Sequence, residues 1–150
     1  MIKSPKSENM SLNKIERKIK NLAEKYHLQL IYAFGSRAKE ALDYVHGKKN
    51  AFRSSQSDVD IGVKPKKHLR VEELVKIALF FEDIFNVPRV DVVMLTDAPV
   101  FLALEIVQGE LLYARDDRYE AEYQLYIMRR ASELARYETM KIELILEMQK

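Results

Sequence analysis

Cysteine is absent from all 150 residues of the chain. Disulfides, zinc–thiolate sites and thiol-based catalysis are therefore excluded, and a reducing, cytoplasmic compartment is the natural expectation. Long apolar runs are absent as well, because no stretch approaches the ~18 consecutive apolar residues of a membrane-spanning helix. The opening residues, 1–10, lack the apolar core of a signal peptide and are interpreted as a flexible lead-in.

A strong charge of one sign is also missing. The chain carries 25 basic and 23 acidic residues, which leaves a formal net charge of +2. This balance argues against a protein that coats DNA, and no sequence-specific binding to nucleic acid is expected. A length of 150 residues is typical of one domain with a sizeable core, so the whole chain is predicted to be a single domain.

Helical and strand-like segments alternate along the sequence. Neither glycine nor proline occurs after Asp117, so residues 117–150 are predicted to form a helical extension, either one long helix or two packed ones. The alternation predicts an α/β (α+β) protein in which helices flank one sheet. The predicted elements are a helix from an N-cap at Ser11 to about Tyr26, a strand at 28–34, helical composition at 37–45, a strand at 58–63, a helix at 71–85, a strand after Pro88, a helix at 98–108 followed by Gly109, and a short strand at 110–114.

Two aspartates interrupt the apolar strand "DVDIGV". Side chains alternate between the faces of a strand, so Asp58, Asp60 and Gly62 share one face while the branched aliphatic residues take the other. The two Cα atoms are ~6.6 Å apart at a rise of ~3.3 Å per residue, so the carboxylates can converge on one cation. Hard oxygen ligands of this kind are suited to Mg²⁺.

A third carboxylate, Asp91, lies in the apolar run "VDVVML". Taken alone, it is equally well explained as a solvent-facing residue paired with Arg89. Beside the aspartate pair it is better explained as a third metal ligand. The turn Gly35–Ser36 has two interpretations as well: an anion site, if a helix begins at Ser36, or a plain turn with an N-cap, which a lone Gly-Ser would favour.

Taken together, "GSR", "SDVDIGV" and "VDVVML" resemble the minimal nucleotidyltransferases of the DNA polymerase β superfamily. That family has a Gly-Ser turn after its first strand, an acidic pair on the second and a third acidic residue on a later strand. The tail "ALEIVQGELLYARDDRYEAEYQLYIMRRASELARYE" is similar to the small prokaryotic MNT antitoxins, which are encoded beside HEPN ribonuclease toxins. The resemblance implies a nucleotidyltransferase fold with a mixed sheet of about four strands and a long C-terminal helical segment.

The same resemblance implies a role for each motif. ATP would be the substrate, with Gly35 and Ser36 at its β- and γ-phosphates and Arg37 and Ser57 as further nucleotide-binding residues. Two Mg²⁺ ions would be held by Asp58 and Asp60. Asp91 would hold the catalytic ion and help deprotonate the acceptor hydroxyl. Within the family, MNT antitoxins transfer AMP from ATP to a tyrosine of the HEPN toxin and so silence it.

Other interpretations stay open at this stage. The chain could block its toxin by contact alone, or it could modify a small molecule such as an aminoglycoside. The linker between Ser36 and Asp58, residues 37–57, is 21 residues long, which leaves room for an extra loop near the site. No additional domains are present to grip a template, so polymerisation is not expected. Three tyrosines on one helical stripe either pack against the sheet or form a partner surface: Tyr119, Tyr123 and Tyr126.

Overall fold

The computed structural model describes residues 12–48 and 58–149, in which helices and strands alternate. The predicted order of elements and the α/β class are confirmed. The elements are α1 (Lys14–Lys25), β1 (Leu28–Phe34), α2 (Ala38–Val45), β2 (Val59–Pro65), α3 (Val71–Phe85), β3 (Val90–Met94), a short 3₁₀ turn (Leu95–Asp97), α4 (Val100–Val107), β4 (Glu110–Ala114) and α5 (Asp117–Met148). Within these ranges, no helix has both the length and the apolar character needed to cross a membrane.

The sheet is mixed and has four strands in the order β3-β2-β1-β4. The central strand β1 runs antiparallel to both of its neighbours, whereas β2 and β3 run parallel. The end of β1 therefore lies beside the beginnings of β2 and β3, because Phe34 pairs with Asp60 and Asp60 pairs with Asp91. One edge of the sheet thus collects the Gly-Ser turn and both acidic strands.

Each face of the sheet buries its own apolar cluster. One cluster packs α1, α2 and α3 against the face that carries Ile31, Ile61 and Val63. The other packs α4 and the start of α5 against the face that carries Leu30 and Tyr32. Alternation of side chains along β1 explains the division, since neighbouring residues of a strand point to opposite faces.

Helix α1 begins two residues later than predicted. Its N-cap is Asn13, whose side chain accepts a hydrogen bond from the Glu16 N–H at 2.8 Å, and Glu16 accepts one in return from the Asn13 N–H at 3.4 Å. This reciprocal capping box satisfies two N–H groups that a helix start leaves unpaired. The predicted cap, Ser11, lies outside the described residues, and its assignment as the cap was wrong.

The tyrosine stripe docks the first turns of α5 onto the sheet. The hydroxyl of Tyr119 donates to Gln29 Oε1 at 2.9 Å, and the buried hydroxyl of Tyr32 donates to the carboxylate of Glu120. Burial and this acceptor raise the pKa of Tyr32, so its hydroxyl stays protonated as a donor. Tyr123 is half-buried in the same cluster, whereas Tyr126 is exposed. The packing interpretation therefore holds for the first two tyrosines.

Gly109 follows α4 as predicted, and it is needed for a close backbone approach. A Cβ atom at this position would overlap the backbone oxygen of Ala33 on β1. Backbone atoms of a central strand cannot move without disturbing the sheet, so Gly109→Ala is expected to lower the free energy of unfolding by about 1–3 kcal/mol. Urea denaturation would measure this change, and a value within about 0.5 kcal/mol of the wild type would contradict it.

Candidate active site

The Gly35–Ser36 turn lies directly against the first acidic strand. Gly35 has φ of +78°, a conformation that favours glycine, and both turn residues are exposed. A Cβ atom on Gly35 would lie 2.6 Å from Asp60 Oδ2. The missing side chain therefore lets the backbone of the turn reach the carboxylate, which joins the two predicted halves of the site.

The three predicted aspartates lie at the same edge of the sheet. Asp60 is on β2 and faces Asp91 in the parallel register with β3, while Asp58 directly precedes β2. All three are partly exposed. The pairing of two valine-rich strands in this register places the carboxylates together, because the strands bury their aliphatic faces below them.

Arg89 provides a cation for two of these carboxylates. Its Nε lies 3.3 Å from Asp91 Oδ1 and 3.6 Å from Asp58 Oδ2. The Arg89–Asp91 pair that the sequence raised as an alternative is therefore present, and Asp58 joins it. The Arg89 side chain is 68% exposed, so the pairs are solvent-screened and contribute little to stability.

Asp60 carries negative charge that no described cation pairs within 4 Å. Partial burial raises the pKa of its carboxyl group, and the charges of Asp91, Asp58 and Glu105 raise it further. Each cause disfavours the ionised form, so the site as folded has an excess of negative charge. A divalent cation between the carboxylates would relieve this repulsion.

Glu105 is a fourth acidic residue that the sequence analysis did not include. It lies on α4, and the helix comes close to β2 because Gly62 has no side chain: a Cβ atom there would overlap Ile106 Cγ2. The neighbouring residue, Glu105, is thereby brought near enough to Asp60 to influence its pKa. No local motif marks Glu105, because its proximity depends on the packing of α4 against β2.

The residues fit a magnesium site in chemistry and charge. The donors are hard carboxylate oxygens, and the unbalanced charge at Asp60 has the sign that a cation would neutralise. Across the described residues, no three acidic or histidine side chains converge on a single point, since Asp58 and Asp91 are turned towards Arg89.

Two further residues, Arg37 and Ser57, were predicted to bind nucleotide. The Arg37 side chain is only 5% exposed, and its Nε donates to Glu40 Oε1 at 3.0 Å. This pair spans the start of α2, immediately after the Gly35–Ser36 turn. Ser57 lies outside the described residues, so its predicted contact with nucleotide stays a prediction.

Solved structures share this fold. A chain of the toxin–antitoxin complex MntA–HepT matches with a TM-score of 0.60 and 21% identity, covering 88% of this chain and 97% of that one. A toxin–antitoxin structure with AMP-PNP matches with a TM-score of 0.62 and 23% identity, covering 87% of this chain and 98% of that one. The structure of a tri-AMPylated Shewanella oneidensis HEPN toxin in complex with an MNT antitoxin matches with a TM-score of 0.60 and 22% identity, covering 88% of this chain and 96% of that one.

Sequence comparison points the same way. No curated protein matches the chain significantly. The sequence model described as polymerase beta, nucleotidyltransferase matches residues 17–118, a span that contains the Gly-Ser turn, all three aspartates and the whole sheet. The predicted family is confirmed: this chain belongs to the polymerase beta nucleotidyltransferase family.

Proposed function

We propose that this protein is a magnesium-dependent nucleotidyltransferase. It transfers AMP from ATP to the hydroxyl group of a tyrosine of a HEPN ribonuclease toxin and so acts as the antitoxin. The observation that carries the proposal is the contact between the turn and the carboxylates: Gly35 lies against Asp60, and Asp60 lies opposite Asp91. Support for the donor and the partner comes from the similar structures, which include a complex with AMP-PNP and a tri-AMPylated HEPN toxin.

Each residue of the site has a distinct task in this proposal. The exposed turn at Gly35 and Ser36 would bind phosphate oxygens through its backbone N–H groups, and Arg37, which follows the turn, is a further nucleotide-binding residue in this proposal. Two Mg²⁺ ions, held by Asp58, Asp60 and Asp91, would stabilise the attacking and leaving oxygens of an in-line displacement. Ser57 is the further nucleotide contact in this proposal.

The bond changes balance in a single displacement. The acceptor hydroxyl oxygen forms a bond to the α-phosphorus, and the bond from that phosphorus to the bridging oxygen breaks, so pyrophosphate leaves. Asp91 accepts the proton of the hydroxyl. Arg89 must then give up its contact with Asp91, and its 68% exposure leaves it free to move into solvent.

A purely steric antitoxin is the second candidate. The observation that favours it is the Arg89 bridge, which holds Asp58 and Asp91 without any metal. The unpaired charge of Asp60 argues against it, because a surface that only blocks a partner has no need for repelling, partly buried carboxylates. A small-molecule nucleotidyltransferase remains the third interpretation, and no observation favours it.

Asp91→Asn separates the catalytic from the steric antitoxin. The variant is expected to co-purify with the toxin but to leave its tyrosine unmodified, because the amide cannot accept the hydroxyl proton. Mass spectrometry of the toxin and a ribonuclease assay would measure both effects. Asp97→Asn is the matched control, since Asp97 is exposed and bonded to His68 outside the site. A variant that silences the toxin fully without adding AMP would show that contact alone neutralises it.

A further inference from the structure

The outer half of α5 has no partner among the described residues. Every residue from 132 to 149 is exposed, although the helix continues without interruption to Met148. Isolated helices of about 15 residues are marginal in water, so a projecting segment with this many apolar side chains indicates a contact surface. The large apolar residues that it exposes are Leu134, Tyr137, Met140, Ile142, Leu144, Ile145, Leu146 and Met148.

A heptad seam runs along this segment. Its positions alternate in steps of three and four residues, which is the spacing of a coiled-coil interface. The seam residues are Ala131, Leu134, Glu138, Lys141, Ile145 and Met148. Two opposite charges, Glu138 and Lys141, therefore occupy adjacent seam positions in the middle of an otherwise apolar stripe. In a parallel pair of identical helices each charge would face its own copy and repel it.

An antiparallel pair of identical helices places each of these charges opposite a charge of the other sign. When Glu138 of one copy lies opposite Lys141 of the other, Leu134 falls opposite Ile145, and position 131 falls opposite Met148. The flanking positions are then apolar as well, with Tyr137 beside Leu144 of the second copy. Every contact occurs twice, as a two-fold symmetric interface requires.

A groove lies where the second helix would end. Its volume is about 580 Å³, and its lining includes Ile127 and Leu134 from α5 and Pro99 and Ala103 from the region of α4. Ala131 itself is buried against the domain, so the end of the second helix meets the groove instead. The register places Met148, the most exposed apolar side chain of the segment, level with Ala131 and about one helical turn from Leu134, which lines the groove.

We propose that the outer half of α5 pairs antiparallel with the same segment of a second copy, so that this protein forms a two-fold dimer. The seam favours a second copy over another partner, because in an antiparallel pair each Glu138 lies opposite the Lys141 of the other copy. The proposal does not depend on the transferase activity.

Charge exchange tests the pairing. In sedimentation experiments on the full chain at about 1–100 µM, the wild type is expected to dimerise, while Glu138→Lys and Lys141→Glu each weaken dimerisation at least about tenfold. An equimolar mixture of the two variants is expected to regain the wild-type affinity, since each lysine then meets a glutamate. Circular dichroism would confirm that both variants keep their helix content.

Cysteine cross-linking tests the register. The chain has no cysteine of its own, so only the introduced cysteines can form a disulfide. Leu134→Cys mixed with Ile145→Cys is expected to form a disulfide-linked dimer on oxidation. Neither variant alone should cross-link, because the two copies of position 134 would be offset along the helix axis by about 16.5 Å, well beyond disulfide reach.

Three results would overturn the proposal: a monomer at every concentration, a dimer insensitive to Glu138→Lys, or cross-linking by Leu134→Cys alone. If the chain is monomeric and Glu138→Lys instead weakens binding of a HEPN toxin, the toxin covers this face.

Discussion

Asp60→Asn is expected to reduce nucleotidyl transfer by about 10³-fold or more while the protein stays folded. Loss of metal-dependent charge stabilisation removes several kcal/mol from the transition state, and each 1.36 kcal/mol is a factor of ten in rate. The variant should also lose the stabilisation by Mg²⁺-ATP that the wild type shows in thermal melts. A wild type with no such stabilisation at saturating ligand would contradict the metal–nucleotide site.

The same substitution is expected to raise the stability of the ligand-free protein at neutral pH. Folding raises the pKa of Asp60, so the folded state binds more protons than the unfolded state between the ordinary value of 3.8 and the raised one. The stability that the protonated Asp60 carboxyl group contributes is therefore lost as the pH rises through that interval. Asparagine does not titrate, so the variant lacks this pH dependence of stability. Melting temperatures measured from pH 4 to pH 7 should show a smaller difference between variant and wild type at the acidic end. Asp97→Asn, outside the cluster, should not reproduce this pattern.

Gly35→Ala is expected to damage activity far more than stability. Alanine at φ of +78° lowers the free energy of unfolding by about 1–2 kcal/mol. Its Cβ would lie 2.6 Å from Asp60 Oδ2, which is too close, so the carboxylate would have to move. That oxygen is the end of a flexible side chain, so the displacement adds little to the folding cost. It does move the carboxylate that the proposed metal site needs, and such misplacement can reduce catalysis by about 10²-fold.

Gly47→Ala is the matched control for this experiment. Gly47 has almost the same backbone angle, φ of +77°, but a Cβ there would only make ordinary contact with Asn13 Nδ2 at 3.6 Å. Both variants should lose similar free energy of unfolding in urea titrations, and only Gly35→Ala should lose transfer activity. Equal activity in the two variants would show that the turn does not position Asp60.

The order of the elements could be predicted because its causes are local. The short apolar run "LQLIYAF", the alternation in "DVDIGV" and the helical spacing from Val71 to Phe85 reflect short-range geometry, and the predicted boundaries agree closely with the structure. The Gly35 turn and the three aspartates were recognisable for the same reason. Each is a motif of a few residues attached to a strand.

Tertiary packing decided what these motifs meet. Glu105 influences Asp60 only because Ile106 fills the space that Gly62 leaves open, and Arg89 bridges two aspartates only because β2 and β3 pair in one register. Arg37 has a residue type that favours solvent, yet it is buried against Glu40. The capping residue of α1 was missed because Ser11 and Asn13 are both good caps, and only the contact with Glu16 selects between them. The contacts of Glu105 with Asp60 and of Arg89 with Asp58 join segments far apart in the chain, and they are set by how helices and strands pack rather than by any local pattern.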